Sequence, residues 1–189
     1  MPPKPEINEE KVLKAAVKLV RAEGIEGLNA RSLAKTLGCS TQPLFRLFAN
    51  MEALKAALRL ELDKIYDHFM EAHVSSENRL LTQGIAYVEF ARQEREIFRA
   101  LFLDHCMDGA TLAEIATADW NRRTIENAAK ITGLPMDSAE RLFLNMWLYS
   151  HGMASQLLSN GIDLPTERVE ELHRQAFEAF TQLEKKVSE

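Results

Sequence analysis

The sequence predicts an all-α protein in which a small N-terminal three-helix head is joined by a long helix to a larger helical body. Three observations carry that expectation. Apolar residues recur at spacings of three and four through most of the 189 residues. From Glu77 onward no stretch alternates as a half-buried strand would, and the remaining glycines and prolines fall where helices would end. Residues 29–54, NARSLAKTLGCSTQPLFRLFANMEAL, have the punctuation of two short helices meeting at a sharp turn, followed at once by a third.

Each element has a local cause. Residues 1–6 hold three of the six prolines and read as a disordered arm. Asn8 caps a first helix to about Glu23, with Val12, Ala15, Ala16, Leu19 and Val20 on its apolar face, and Gly24 stops it. Asn29 caps a second helix, Ala30 to Leu37. Gly38 ends that helix because glycine takes positive φ without strain. Ser40 is expected to cap a third helix to Phe48, with Pro43 in its first turn and Leu44 and Phe48 facing inward. Asn50 caps a fourth, running to about Val74.

Beyond it the spacing predicts helices over Asn78–Gln93 and Glu94–Leu103, a break at Asp104–Gly109, and a helical stretch within Leu112–Ile131 closed by Gly133 and Pro135. Asp137 with Glu140 reads as a capping box for a long helix ending before Gly161. Thr166 starts the last helix, to about Lys186. The stripe Leu142, Met146, Tyr149, Met153, Leu157 and the stripe Val169, Leu172, Ala176, Phe180, Leu183 predict an antiparallel hairpin at the chain end. Further apolar residues flank each stripe, so one face lines a core while another is free for a partner. The expected domains are an arm over 1–6, a head over 7–54 and a body over 55–189.

Composition narrows the function classes. A chain of this length buries about 70% of its unfolded surface and needs no staple. Cys39 and Cys106 form no CxxC or zinc spacing, which points to a reducing compartment, with cytoplasm as the default. No apolar run approaches the roughly 18 residues of a membrane span, and MPPKPEINEE lacks the apolar core of a signal peptide. The net charge of −5 is divided unevenly. Residues 1–60 hold 10 Lys or Arg against 6 Asp or Glu, and residues 61–189 hold 13 against 22. A basic head on an acidic body suits a protein that brings one end to phosphates.

At this point the residues support a family comparison. The stretch from Val12 to Leu58, with GIEGLNARSLAKTLG and LFRLFANMEAL at its centre, resembles the DNA-binding domain of the TetR family of transcriptional regulators. Trp147, His151 and Gly152 in MWLYSHG resemble the Trp-His-Gly motif of one branch of TetR-like C-terminal domains. The resemblance implies a homodimer that places the third helix of each head in a major groove of double-stranded DNA, with a body that binds a small apolar or amphipathic inducer. Carried over by position, Arg31, Thr41, Gln42 and Pro43 face base edges. Arg suits guanine, Gln suits adenine, and Pro can touch a thymine methyl. Lys35, Arg46 and Lys55 fall where phosphates are held, and Phe45 and the capping residue Asn50 complete the expected DNA-binding set.

Three positions depart from the family pattern. Phe45 stands where Tyr is common, Leu47 where a polar group is common, and Met51 where Lys is common. Two usual phosphate contacts thereby lose a hydroxyl or a charge, and binding is expected to be less steep in salt. In the body, Phe98, Phe102, Phe143 and Trp147 are candidates to line an apolar pocket, with His105 or His151 as the orienting hydrogen-bonding group. Met153, Leu157, Ala176 and Phe180 are the expected dimer-interface residues. Asp104, His105 and Cys106 are adjacent and form no tetrahedral set, and Glu170 with His173 is a single Glu-x-x-His pair, so no metal or cofactor is expected. No nucleophile elbow or phosphate loop argues for catalysis. The competing reading is a helical protein-interaction module without specific DNA binding.

Overall fold

The computed structural model describes residues 7–103, 114, 118–159, 161 and 164–188. The expected arm over 1–6, the expected break at Asp104–Gly109 and His105 with it lie outside these residues. Among the described residues there are nine α-helices and no strand: α1 Glu9–Glu23, α2 Ala30–Leu37, α3 Gln42–Leu47, α4 Met51–His73, α5 Arg79–Gln93, α6 Arg95–Phe102, α7 Asp119–Thr132, α8 Met136–Ser159 and α9 Thr166–Ser188. A 3-10 turn, Ile25–Gly27, joins α1 to the approach to α2.

The chain forms two compact units. One comprises Met1–Asp67 with Glu94–Cys106, the other His68–Gln93 with Met107–Glu189. The compact unit that holds α1–α3 thus also holds α4 through Asp67 and all of α6. It contains a long-range pairing that spacing does not display. Arg21 near the end of α1 donates through Nε and Nη2 to both carboxylate oxygens of Glu94, at 2.8 and 2.7 Å. The carboxylate also holds the Arg21 guanidinium above its ordinary pKa.

Within the head, α1 packs on α2 and on α6. The asparagine caps form as expected. Asn8 Oδ1 accepts from Lys11 N, Asn29 Oδ1 from Arg31 N and Ser32 N, and Asn50 Oδ1 from Ala53 N. The Ser32 hydroxyl completes a reciprocal box by accepting from Asn29 N. The third helix differs from expectation. It begins at Gln42, and Thr41, in helical backbone at φ −72° and ψ −16°, precedes it without a side-chain cap. The Thr41 carbonyl accepts from Leu44 N and Phe45 N, so Pro43 falls at the second helical position, where no N–H is needed.

In the body, α5, α7 and α9 all pack on α8. Its core contains Leu80, Ile125, Ala128, Leu134, Ala139, Leu142, Phe143 and Met146. Two sequence expectations are corrected here. The expected capping box at Asp137 does not form, because α8 starts one residue earlier and Pro135 O accepts from Ala139 N; Asp137 instead pairs with Arg141 at 3.2 Å. The inward stripe of α9 is rotated from the expected one. Val169, His173, Thr181 and Glu184 are buried, whereas Leu183 is exposed. For two of these polar residues α8 offers partners: Arg141 Nε donates to Glu184 at 2.9 Å, and Ser150 meets His173.

Candidate nucleic-acid interface and regulatory core

The turn between α2 and α3 is built by Gly38, at φ 65° and ψ 33°. Gly38 N donates to Lys35 O at 3.1 Å and Cys39 N to Ala34 O at 3.0 Å, the paired bonds of a Schellman ending. Leu33, Ala34, Leu44 and Phe48 are buried, which fixes how α2 and α3 present their other faces. On those faces Arg31, Lys35, Gln42 and Arg46 are exposed, and Thr41 and Pro43 are half-buried. Lys55, one turn into α4, is exposed as well.

The cations of the head differ in their partners. Lys14 pairs with Glu10 at 2.6 Å, Arg59 with Asp63 at 3.2 Å, Lys64 with Glu61 at 2.7 Å, and Arg21 with Glu94. The side chains of Arg31, Lys35, Gln42, Arg46 and Lys55 have no such partner among the described residues. Asn50 is different, since its Oδ1 is committed to the α4 cap. Phe45, at 48% exposure, presents a bare ring beside the cations.

The body holds a second cluster, on α5, α8 and α9. Tyr87 Oη lies 3.0 Å from His151 Nδ1, and Trp147 stacks on the His151 ring with centroids 5.5 Å apart. Burial holds His151 below the ordinary imidazole pKa, so the ring is neutral at pH 7. On α9, His173 is fully buried. Its Nδ1–H donates to Val169 O at 2.8 Å, which leaves Nε2 of the neutral ring to accept from Ser150 Oγ at 3.1 Å. The same hydroxyl lies 2.7 Å from Met146 O, so one hydrogen serves two acceptors. Gly84 on α5 makes room for this trio: a Cβ there would meet Ser150 Oγ at 2.7 Å and His173 Cδ2 at 2.8 Å.

Residues 80–180 match the family described as "Tetracyclin repressor-like, C-terminal domain". The chain belongs to the TetR family of transcriptional regulators. No protein among those of curated function matches it. Solved structures share the TetR fold along nearly the whole chain. A Rhodococcus sp. RHA1 protein of unknown function is 24% identical over 96% of this chain and 98% of its own, with a TM-score of 0.66. A candidate TetR-family transcriptional regulator from Rhodococcus sp. is 19% identical over 92% and 98%, with a TM-score of 0.61. A TetR-family member from Streptomyces coelicolor A3 is 17% identical over 88% and 96%, with a TM-score of 0.55.

Against this TetR architecture, the predicted pocket residues separate. Phe98 and Phe102, whose rings lie 5.0 Å apart, belong to the first compact unit, whereas Phe143, Trp147 and His151 belong to the second. His105 lies outside the described residues. Phe143 is core, and Trp147 packs partly buried on that core. Tyr87, the partner of His151, is missed by sequence reasoning because 64 residues separate them and no local pattern links them. Of the expected interface residues, Leu157 is buried within the chain and is withdrawn from that role. Met153, Ala176 and Phe180 stay partly exposed, and Leu148 and Leu183 on the same two helices are exposed.

Proposed function

We propose that this TetR-family regulator binds a palindromic DNA operator as a homodimer, acts there as a repressor, and is released when a small amphipathic molecule occupies the body. The observation that carries the reading is the uncommitted edge of α2 and α3. Arg31, Lys35, Gln42 and Arg46 are exposed with no side-chain partner among the described residues, while Lys14, Arg21, Arg59 and Lys64 of the head are bound to carboxylates. A guanidinium or an amide without an internal partner is available for base edges, and Lys35, Arg46 and Lys55 supply the charge that phosphates require. Asn50 orders the start of α4, whose first N–H groups favour a phosphate.

For release, Trp147 and His151 provide an aromatic wall and a neutral hydrogen-bonding ring, oriented by Tyr87. A ligand that favours one arrangement of the dimer shifts the equilibrium only by its difference in affinity for the two arrangements. Met153, Ala176, Phe180, Leu148 and Leu183 supply apolar area on α8 and α9 for a second copy.

Selection of bound duplexes from a randomised pool, followed by fluorescence anisotropy on the enriched sequence, tests the reading. A palindromic consensus bound by two chains supports it. Equal, weak affinity for every duplex contradicts it and favours the interaction-module alternative.

A further inference from the structure

The body carries seven arginines, Arg79, Arg92, Arg122, Arg123, Arg141, Arg168 and Arg174. Five have carboxylate partners: Glu89 for Arg92, Glu126 for Arg122, Asp137 and Glu184 for Arg141, Glu171 for Arg168 and Glu170 for Arg174. Arg79 and Arg123 have none among the described residues. In a segment where acids outnumber bases, chance alone would more readily leave carboxylates unpaired than leave two neighbouring guanidinium groups so.

The two are held together by design of the α5 and α7 contact. Asn127 Oδ1 accepts from Arg79 N at 2.9 Å, and Asn127 Nδ2 donates to Ser76 O at 3.1 Å, so that amide ties the start of α5 to α7. Arg123 stands one turn before Asn127 on α7. A second tie, Thr124 to Gln83 at 2.7 Å, sits beside Arg123 on one helix and one turn past Arg79 on the other. Arg79 Nε is buried with no acceptor. Burial first, and the Arg123 charge second, hold the Arg79 guanidinium below its ordinary pKa. Glu77, Asp119 and Glu126 are the nearby carboxylates in sequence, and Glu126 pairs with Arg122. An orphaned buried N–H beside a like charge is costly, and a bound anion relieves both faults.

We propose that Arg79 and Arg123 form a binding site for a phosphoryl dianion in the regulatory body. Two planar guanidinium forks match the charge and the oxygen spacing of a phosphate better than those of a single carboxylate. The α5 amides do not provide the site, because Asn127 and Asn78 already accept from Arg79 N and Leu81 N. Trp120 lies three residues before Arg123 on the same helix and is 82% exposed, placed to stack on a base if the phosphate belongs to a nucleotide. The assignment does not depend on DNA binding.

The test is calorimetric titration of the full chain with inorganic phosphate and, separately, with a nucleoside monophosphate, at ionic strength held constant with sodium chloride. Saturable binding of either probe is expected, weakened by about tenfold or more in Arg123→Gln, as suits loss of a charge-assisted fork. Arg123 is exposed, so that variant should keep the parent melting temperature; Lys130→Gln, an exposed cation on the same helix, should bind as the parent does. Tighter nucleotide binding that drops to the level of phosphate in Trp120→Ala assigns a nucleotide, and equal binding of both probes assigns free phosphate. No saturation with either probe, or equal affinity in the parent and Arg123→Gln, overturns the site.

Discussion

The side chains of Arg31, Lys35 and Gln42 in the head are exposed with no partner among the described residues, whereas Ser150, His173 and Glu184 in the body are buried and each is hydrogen-bonded. The same classes of side chain serve opposite ends. These three body side chains are removed from water and satisfied internally, so their substitution should be felt as stability. In the head the polar groups keep their hydration until a partner arrives, so their substitution should be felt only in binding.

The largest effect that checks this contrast is Phe143→Ala. Phe143 is among the largest fully buried side chains of the body. Its truncation should cost about 3–5 kcal/mol in urea unfolding, as large-to-small core substitutions do. A loss no greater than that of a surface change would break the contrast from the body side. Gly84→Ala should cost about 1–3 kcal/mol by overpacking, since its Cβ would press on Ser150 and His173.

Acid tests the same cluster without substitution. His151 and His173 are both held below the ordinary histidine pKa of 6.5, chiefly by burial. The unfolded chain therefore takes up protons first as pH falls through about 6.5. Stability should decline from there toward the folded-state pKa values. Thermal melts from pH 7.5 to 5.5 should show this decline, and His173→Gln should flatten it. An unchanged melting temperature across that range would show that neither ring is buried neutral.

The smallest effect concerns salt. Met51 supplies no charge at the start of α4, so Met51→Lys should steepen the slope of log K against log salt by about 0.9 if a phosphate sits there. An unaltered slope would place the phosphate elsewhere.

What the sequence made legible was set by distance along the chain. Asn8, Asn29 and Asn50 bond to amides two or three residues on, and Gly24, Gly38, Gly133 and Gly161 all have positive φ, so composition alone marks those ends. The start of α3 escaped because Ser40 and Thr41 are both residue types that cap helices, and the helix begins after Thr41 with no side-chain cap to mark it. Arg21 with Glu94, Tyr87 with His151 and Ser150 with His173 join residues 73, 64 and 23 apart, and such pairs exist only once helices have packed. The buried histidine of α9 shows the limit most clearly, since an apolar-stripe reading favours Leu172 and passes over the fully buried ring beside it. In the head, by contrast, the candidate side chains are those exposed on two short local helices, and their positions follow from the turn itself.

The most direct test of the central claim is Arg31→Ala, measured by fluorescence anisotropy on the selected operator and on a set of single-base variants, with thermal unfolding run in parallel. Binding to the operator should weaken by about 1–3 kcal/mol, the loss should vanish on duplexes altered at one base pair, and stability should move by less than about 0.5 kcal/mol. Equal losses on every duplex, or a matching loss of stability, would contradict base reading by Arg31.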